Sequence, residues 1–378
     1  MQTIFDVYLQ EEIEQLISEV ESLLRKGYDI NKAKEEVVVE CFEELLSITK
    51  ARMKNDKTKE KLYMTLEDLR FATHETVADY RASKLKCGTI IDVGCGIGLQ
   101  SIAFSKTCSK VIAIEVDERK ARYASENFKK LGIKNISLVN EDAFKAVKDI
   151  KKSDIVFCDT ERAAEETERS LSTLKPDIKE LFKAYDKITK NFCIEVPPQV
   201  KNIELKCEKE YISLNGKLNR LNLYFGSLMK ADFSAVTLPS GDRVEGKECS
   251  LPKKSSKVLN YLYEVDEAVV KAGLLSKVVS EKVFLYNFDK QVLLTSSSLV
   301  KNGFFKTYKL IAKCKPTYND IIKELKKAGA GSIILRTKVD PKDYWSERKK
   351  YESKLEGDKK FHLFITGREA LIAEPLKE

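Results

Sequence analysis

From Glu11 to Gly27 the segment EEIEQLISEVESLLRKG repeats apolar residues at helical spacing and stops at a glycine. INKAKEEVVVECFEELLSITKARMK carries the same pattern on to residue 54, so residues 1–70 are expected to form a helical module. From Thr89 the period changes. TIIDVG, KVIAIEV, ISLVN, DIVFCD and FCIEVP are short apolar runs separated by helical stretches, which predicts a parallel sheet with helices on both faces. KEYISLNGKLNRLNLYFG then alternates apolar positions on both sides of Asn215-Gly216, the dipeptide suited to a tight hairpin. An antiparallel hairpin at the end of a parallel sheet departs from the ordinary dinucleotide-binding fold.

Beyond Gly226 the pattern changes again. SAVTLPSGDRVEG reads as a hairpin turning at Pro239-Ser240-Gly241, and VLNYLYEVDEAVVKAGLLSKVV reads as helix. The tail alternates the strands FFKTYKLIAKC, GSIILRTK, KFHLFITG and ALIAEPL with the helix YNDIIKELKKAG, an α+β module of its own. A chain of 378 residues suits two or three cores. The expected domains are residues 1–70, 71–230 and 231–378, with no internal repeat among them.

The chemistry concentrates at Asp92-Val93-Gly94-Cys95-Gly96-Ile97-Gly98, where an acidic residue ends a strand and glycines follow at every second position. Glycines let backbone approach a ligand closely, and the helix that follows offers free N–H groups. A pyrophosphate site would carry GxGxxG, and the carboxylate of Asp92 would repel a pyrophosphate. The same carboxylate suits an ammonium group. S-adenosylmethionine has an amino-acid ammonium, a sulfonium and no phosphate, and is the ligand expected here. The second strand ends at Glu115, followed by Val116, where a carboxylate can accept both ribose hydroxyls. The third leads into Asp142, Ala143 and Phe144, which could meet the adenine amino group and cover its ring. Read singly, Glu115 could be a surface carboxylate and Asp142 a helix cap.

These residues resemble class I S-adenosylmethionine-dependent methyltransferases over Phe71 to Gly226. The resemblance implies an α/β, Rossmann-like, seven-stranded domain closed by a terminal hairpin. LRFATHETVADYRASKL, DIVFCDTER and YLYEVDEAVVKAGLL, with the basic tail, are similar to the THUMP-like methyltransferases of RNA, and the first of these also to trimethylguanosine synthase-like enzymes. In such families the stretch before the first strand runs close to the cofactor, which implies that Phe71 and Thr73 wall off its methionine end. The fourth strand ends at Asp159. In amino-methylating relatives this position holds Asp or Asn before prolines and an aromatic residue, which implies that Asp159 accepts from the amine to be methylated. Here Thr160 stands where relatives have proline, and no aromatic follows. Arg162 could hold a phosphate or a base edge, or pair with glutamates along its own helix. Pro197-Pro198 reads as a rigid loop and His74 as a satisfied or exposed imidazole.

Charge adds a partner. Residues 301–378 hold 19 Lys+Arg against 11 Asp+Glu, and the remainder of the chain holds 48 of each, so the whole excess of +8 lies in this last segment. RNA is the polyanion expected there, with Lys349, Lys350, Lys359 and Lys360 among its contacts; a solvated lysine-rich face is the alternative. The nine scattered cysteines form no CxxC pair and read as reduced thiols, so no metal site is expected. No Ser-His-Asp set or Walker loop appears. No apolar run reaches a membrane span and acidic residues stand near Met1, so a cytoplasmic protein is expected. Three functions remain: an RNA methyltransferase, a protein or small-molecule methyltransferase, and an RNA-binding or assembly factor that keeps the cofactor pocket without catalysis.

Overall fold

The computed structural model describes residues 3–162, 171–287, 292–337, 339–340 and 342–376, with Glu161, Arg162 and Ser172 described in backbone alone. It divides into two compact units: Met1–Cys207 with Leu221–Lys230, and Glu208–Arg220 with Ala231–Glu378.

The first unit opens with five helices: α1 (Gln10–Arg25), α2 (Ile30–Glu36), α3 (Phe42–Lys54), α4 (Leu66–Phe71) and α5 (Glu75–Lys84). The stretch 30–54, read from sequence as one helix, breaks at Val37-Val38-Val39, where β-branched side chains disfavour a continuing turn. The sheet follows: β1 (Thr89–Val93), α6 (Leu99–Ser105), β2 (Lys110–Glu115), α7 (Glu118–Lys130), β3 (Ile136–Asn140), α8 (Ala143–Ala146) and β4 (Ile155–Asp159). A two-residue pair, β5 (Glu161–Arg162) and β6 (Leu174–Lys175), precedes α9 (Ile178–Tyr185) and β7 (Phe192–Val196). The parallel strands run in the order β3-β2-β1-β4-β7, and β1, β2, β4 and β7 are buried along almost their whole length, as a sheet covered on both faces must be. After β8 (Glu208–Leu214), Asn215 and Gly216 take left-handed backbone angles and the chain returns as β9 (Lys217–Tyr224), whose last residues pair antiparallel with β7.

Two apolar clusters among the described residues join the helices of this unit to its sheet. Ile13, Ile17, Phe42 and Leu45 of the N-terminal helices pack with Ile102 of α6 and Tyr123 and Phe128 of α7 in one apolar cluster. The other joins Ala78 and Ala82 of α5 to Phe104, Phe157, Cys193 and Tyr224. Through its centre runs Arg81, with no exposed surface. Its guanidinium lies over the Phe157 ring, pairs with Glu195 of β7, and donates to Gln100 Oε1 of α6 (2.5 Å) and Asn222 Oδ1 of β9 (3.3 Å).

In the second unit β8 pairs parallel with β10 (Phe233–Leu238), which turns at Pro239–Gly241 into antiparallel β11 (Asp242–Gly246). Next come β12 (Tyr261–Val265), α10 (Glu267–Lys271), α11 (Leu275–Val278), β13 (Phe284–Asn287), β14 (Leu293–Ser296) and β15 (Phe305–Cys314). The chain ends with α12 (Tyr318–Lys327), β16 (Ala330–Leu335), α13 (Tyr344–Glu352), β17 (Lys359–Ile365) and β18 (Ala370–Pro375). The sheet order is β13-β14-β12-β15-β18-β17-β16, antiparallel except at β16/β17. The expected helix around residue 261 begins later. Tyr261–Val265 is a strand, rich in residues that pack well on a pleated surface, and helix starts only where the Asp266 side chain caps Ala268 N–H. Among the described residues, no helix is long and apolar enough to cross a membrane.

Replacing Arg81 by methionine leaves the Glu195 carboxylate buried without its guanidinium, so urea unfolding should show a loss of ~3–5 kcal/mol. Adding Glu195→Gln to that variant should recover part of the loss. A loss below ~1 kcal/mol would remove the pair from its central place.

Candidate active site

The turn between β1 and α6 is built against the end of β2. Gly94 N–H and Cys95 N–H both donate to the Ile114 carbonyl (2.9 and 3.0 Å), and Gly96 N–H donates to Glu115 Oε2 (2.8 Å). Glu115 Oε1 accepts from Asp117 N–H (2.9 Å), so this buried carboxylate braces two backbone segments while its remaining lone pairs stay available. Gly96 has a left-handed φ of 57° and nothing within 4 Å of where a Cβ would stand, which leaves open space over the turn. Gly98 is required for a different reason: a Cβ there would come within 2.5 Å of the Phe128 ring. Asn127, beside that ring on α7, is wholly buried and donates to the Ile97 and Tyr63 carbonyls (3.1 and 3.0 Å), pinning the turn to the segment before α4.

The structure brings the other sequence-derived residues to the same strand ends to different degrees. Asp159, half-buried, ends β4, and its carbonyl lies 3.5 Å from the Cβ position of Gly94. Thr160 is buried, and both its N–H (3.2 Å) and its Oγ1 (2.7 Å) donate to the Glu195 carbonyl. A proline there could make neither bond. Asp142 caps α8, its Oδ1 accepting from Phe144 and Lys145 N–H, while Asn140 at the end of β3 donates to the Glu115 carbonyl (2.8 Å). Ala143 is held through its carbonyl by the Tyr185 hydroxyl (2.9 Å). Val116 and Phe71 are exposed, and Thr73 is buried. The α4 helix that carries Phe71 is tied to the start of α7 by the paired Arg119–Asp68 hydrogen bonds, both 2.9 Å. His74 caps α5, its Nδ1 accepting from Thr76 N–H (3.1 Å). The side chain of Arg162 lies outside the described residues.

Sequence reasoning missed Arg81, Ser101 and Asn127. The signal was available for Arg81: in VADYRASK a lone arginine falls on the apolar stripe of Val77, Ala78 and Ala82, where a charge needs a buried partner.

Asp92 is strongly perturbed by its surroundings. It is 1 % exposed; Oδ2 accepts from the Ser101 hydroxyl (2.5 Å) and Oδ1 has no hydrogen-bond partner among the described residues. Burial, reinforced by the Asp159 and Glu115 carboxylates, outweighs the Ser101 hydrogen bond and the Arg81 charge and raises its pKa to about 7. A buried acceptor left without a partner two residues before the glycine turn suits a cationic donor.

Residues 90–179 match the family model described as methyltransferase domain. The chain carries a methyltransferase domain over this stretch. It is 33% identical over 153 residues to the ribosomal protein L11 methyltransferase of Caldanaerobacter subterraneus subsp. tengcongensis, covering 38% of this chain and 48% of that protein. Over 132 residues it is 32% identical to an uncharacterized protein of Methanothermobacter thermautotrophicus, covering 32% of this chain and 52% of the relative. The chain thus spans about half the length of the curated relatives it matches. The fold is similar, with a TM-score of 0.74, to the crystal structure of a candidate methyltransferase from Porphyromonas gingivalis W83, 17% identical and aligned over 97% of this chain and 98% of that one. The acceptors present suit S-adenosylmethionine: Asp92 Oδ1 would take its ammonium, Glu115 its ribose hydroxyls and Asp142 its adenine amino group.

The raised pKa of Asp92 has a consequence for stability. From the ordinary value of 3.8 up to about 7, folded chains hold a proton that unfolded chains have lost, so this group lowers stability as pH rises through that window. Without cofactor, Asp92→Asn should therefore be more stable than wild type at about pH 8, by a margin that shrinks toward about pH 5. Urea titrations at both pH values check this, and a margin independent of pH would contradict the assignment.

Proposed function

We propose that the protein is an S-adenosylmethionine-dependent methyltransferase acting on a nucleotide of structured RNA, such as tRNA or rRNA, in the cytoplasm. One observation carries the methyltransferase reading: the unpartnered oxygen of buried Asp92 beside the open glycine turn, with Asp159 at the end of the neighbouring strand. The RNA half rests on the basic excess of residues 301–378 and on the likeness of the chain to THUMP-like and trimethylguanosine synthase-like enzymes.

Bound S-adenosylmethionine supplies an electrophilic methyl group on its sulfonium sulfur. Asp92 receives the ammonium, Glu115 the ribose hydroxyls and Asp142 the adenine amino group, while Phe71, Thr73, Val116 and Ala143 line the cofactor. Asp159 accepts a hydrogen bond from the target amine and orients its lone pair; alignment is the larger part of such a transfer, so no strong base is needed. The two bonds from Thr160 to the Glu195 carbonyl support this reading, because they fix the path of the chain after Asp159 without the family proline. Lys349, Lys350, Lys359 and Lys360 supply phosphate contacts, and Arg162 a further one at the substrate edge. A protein substrate is the second reading, favoured by the match to a relative named ribosomal protein L11 methyltransferase.

Transfer of labelled methyl groups to RNA from cells lacking the gene, followed by nucleoside analysis, tests the proposal. One labelled nucleoside is expected. Asp159→Ala should lower turnover by at least ~100-fold while leaving cofactor affinity within about twofold. Label in protein and none in RNA would overturn the RNA reading, and full activity of the variant would remove Asp159 from the site.

A further inference from the structure

The sequence contains one tryptophan, and it is not in a core. Trp345, on the first turn of α13, is 69% exposed. Two neighbouring side chains contact its indole. The Tyr344 ring meets it edge-on with centroids 5.6 Å apart, and the Arg348 guanidinium lies over the indole at 5.2 Å. Tyr344 packs against the apolar cluster of Ile321, Leu325, Ile333 and Phe361. Arg348 Nε donates to Glu352 Oε1 (2.9 Å), which also accepts from Ile333 N–H (2.9 Å), so both neighbours of the indole are anchored in the unit's sheet and core.

The charge around it is basic. Residues 342–354 hold five Lys+Arg against three Asp+Glu. Glu347 pairs with Lys350 and Glu352 with Arg348, while Lys349 is exposed with no ion-pair partner among the described residues. The Tyr318 hydroxyl of α12 donates to the Lys350 carbonyl (3.0 Å), which joins to this surface a second helix bearing exposed Lys323, Lys326 and Lys327.

We propose that Trp345 is a stacking platform for an unpaired RNA base, with Lys349 and its neighbours on the flanking phosphates. A large rigid π-face costs little side-chain entropy to use, and every base has a face to stack on it. The arginine behind the indole makes the platform stiffer and more cationic. Charge complementarity decides for RNA over an apolar protein surface, because the whole excess positive charge of the chain lies in the segment that carries Trp345. The inference rests on the RNA reading of the function.

Because Trp345 is the only tryptophan, intrinsic indole fluorescence of the full chain reports on it directly. Titration with a short adenylate oligoribonucleotide and with unfractionated tRNA should quench it, less so at high salt. Trp345→Ala should weaken binding of both about tenfold and Trp345→Phe only about twofold, with S-adenosylhomocysteine affinity unchanged in each. Normal RNA binding by Trp345→Ala, without quenching in wild type, would overturn the platform and leave the RNA reading intact. Failure of the wild-type protein to bind either RNA would overturn both, and a protein substrate would take their place.

Discussion

A guanidinium sealed from water has to be matched on the spot, and Arg81 is matched by groups from three other elements. Glu195 of β7, Gln100 of α6 and Asn222 of β9 converge on it, and Phe157 of β4 lies beneath. The helix before the sheet, the helix after the glycine turn and the antiparallel strand that closes the sheet are thus fixed to one another. The site inherits its order from this lock. Glu195, which pairs with Arg81 through its side chain, holds Thr160 through its carbonyl, and Gln100 lies one residue before Ser101, the partner of Asp92.

The site lies where these restraints leave the Asp92 carboxylate half satisfied among the described residues. Asp92 is surrounded by burial and by two other carboxylates, which resist its ionisation, and among the described residues only Ser101 bonds its side chain. Its second oxygen is a standing cost that a bound ammonium would relieve, which couples cofactor affinity to the protonation of this residue. Glu115 has the opposite role. Already braced against Gly96 and Asp117, it is preorganised rather than strained, so a ribose would meet a carboxylate that does not move.

Much of this was legible in the chain. Strand-period runs and the glycines at every second position gave the sheet and the turn between β1 and α6, and the acidic residues fall at successive strand ends as read, because each signal is local. The Asn215-Gly216 turn was equally plain. What escaped was either non-local or locally ambiguous. Arg81 and Asn127 matter through partners more than fifteen residues away in sequence, by roughly the reach at which a pattern stops being local. Tyr261–Val265 lay inside a stretch with helical spacing and became a strand because its aromatic and β-branched residues pair on both edges, with β14 and β15. The break at Val37-Val38-Val39 is masked in the sequence by the apolar residues on either side, which continue the helical spacing.

The central claim is that the orphaned oxygen of Asp92 receives the ammonium of the cofactor. Calorimetry with S-adenosylhomocysteine and its desamino analogue isolates that contact. The account predicts that wild-type protein binds the amine-bearing compound at least about tenfold more tightly, a preference that Asp92→Asn abolishes. Equal binding of the two compounds by the wild-type protein would contradict it.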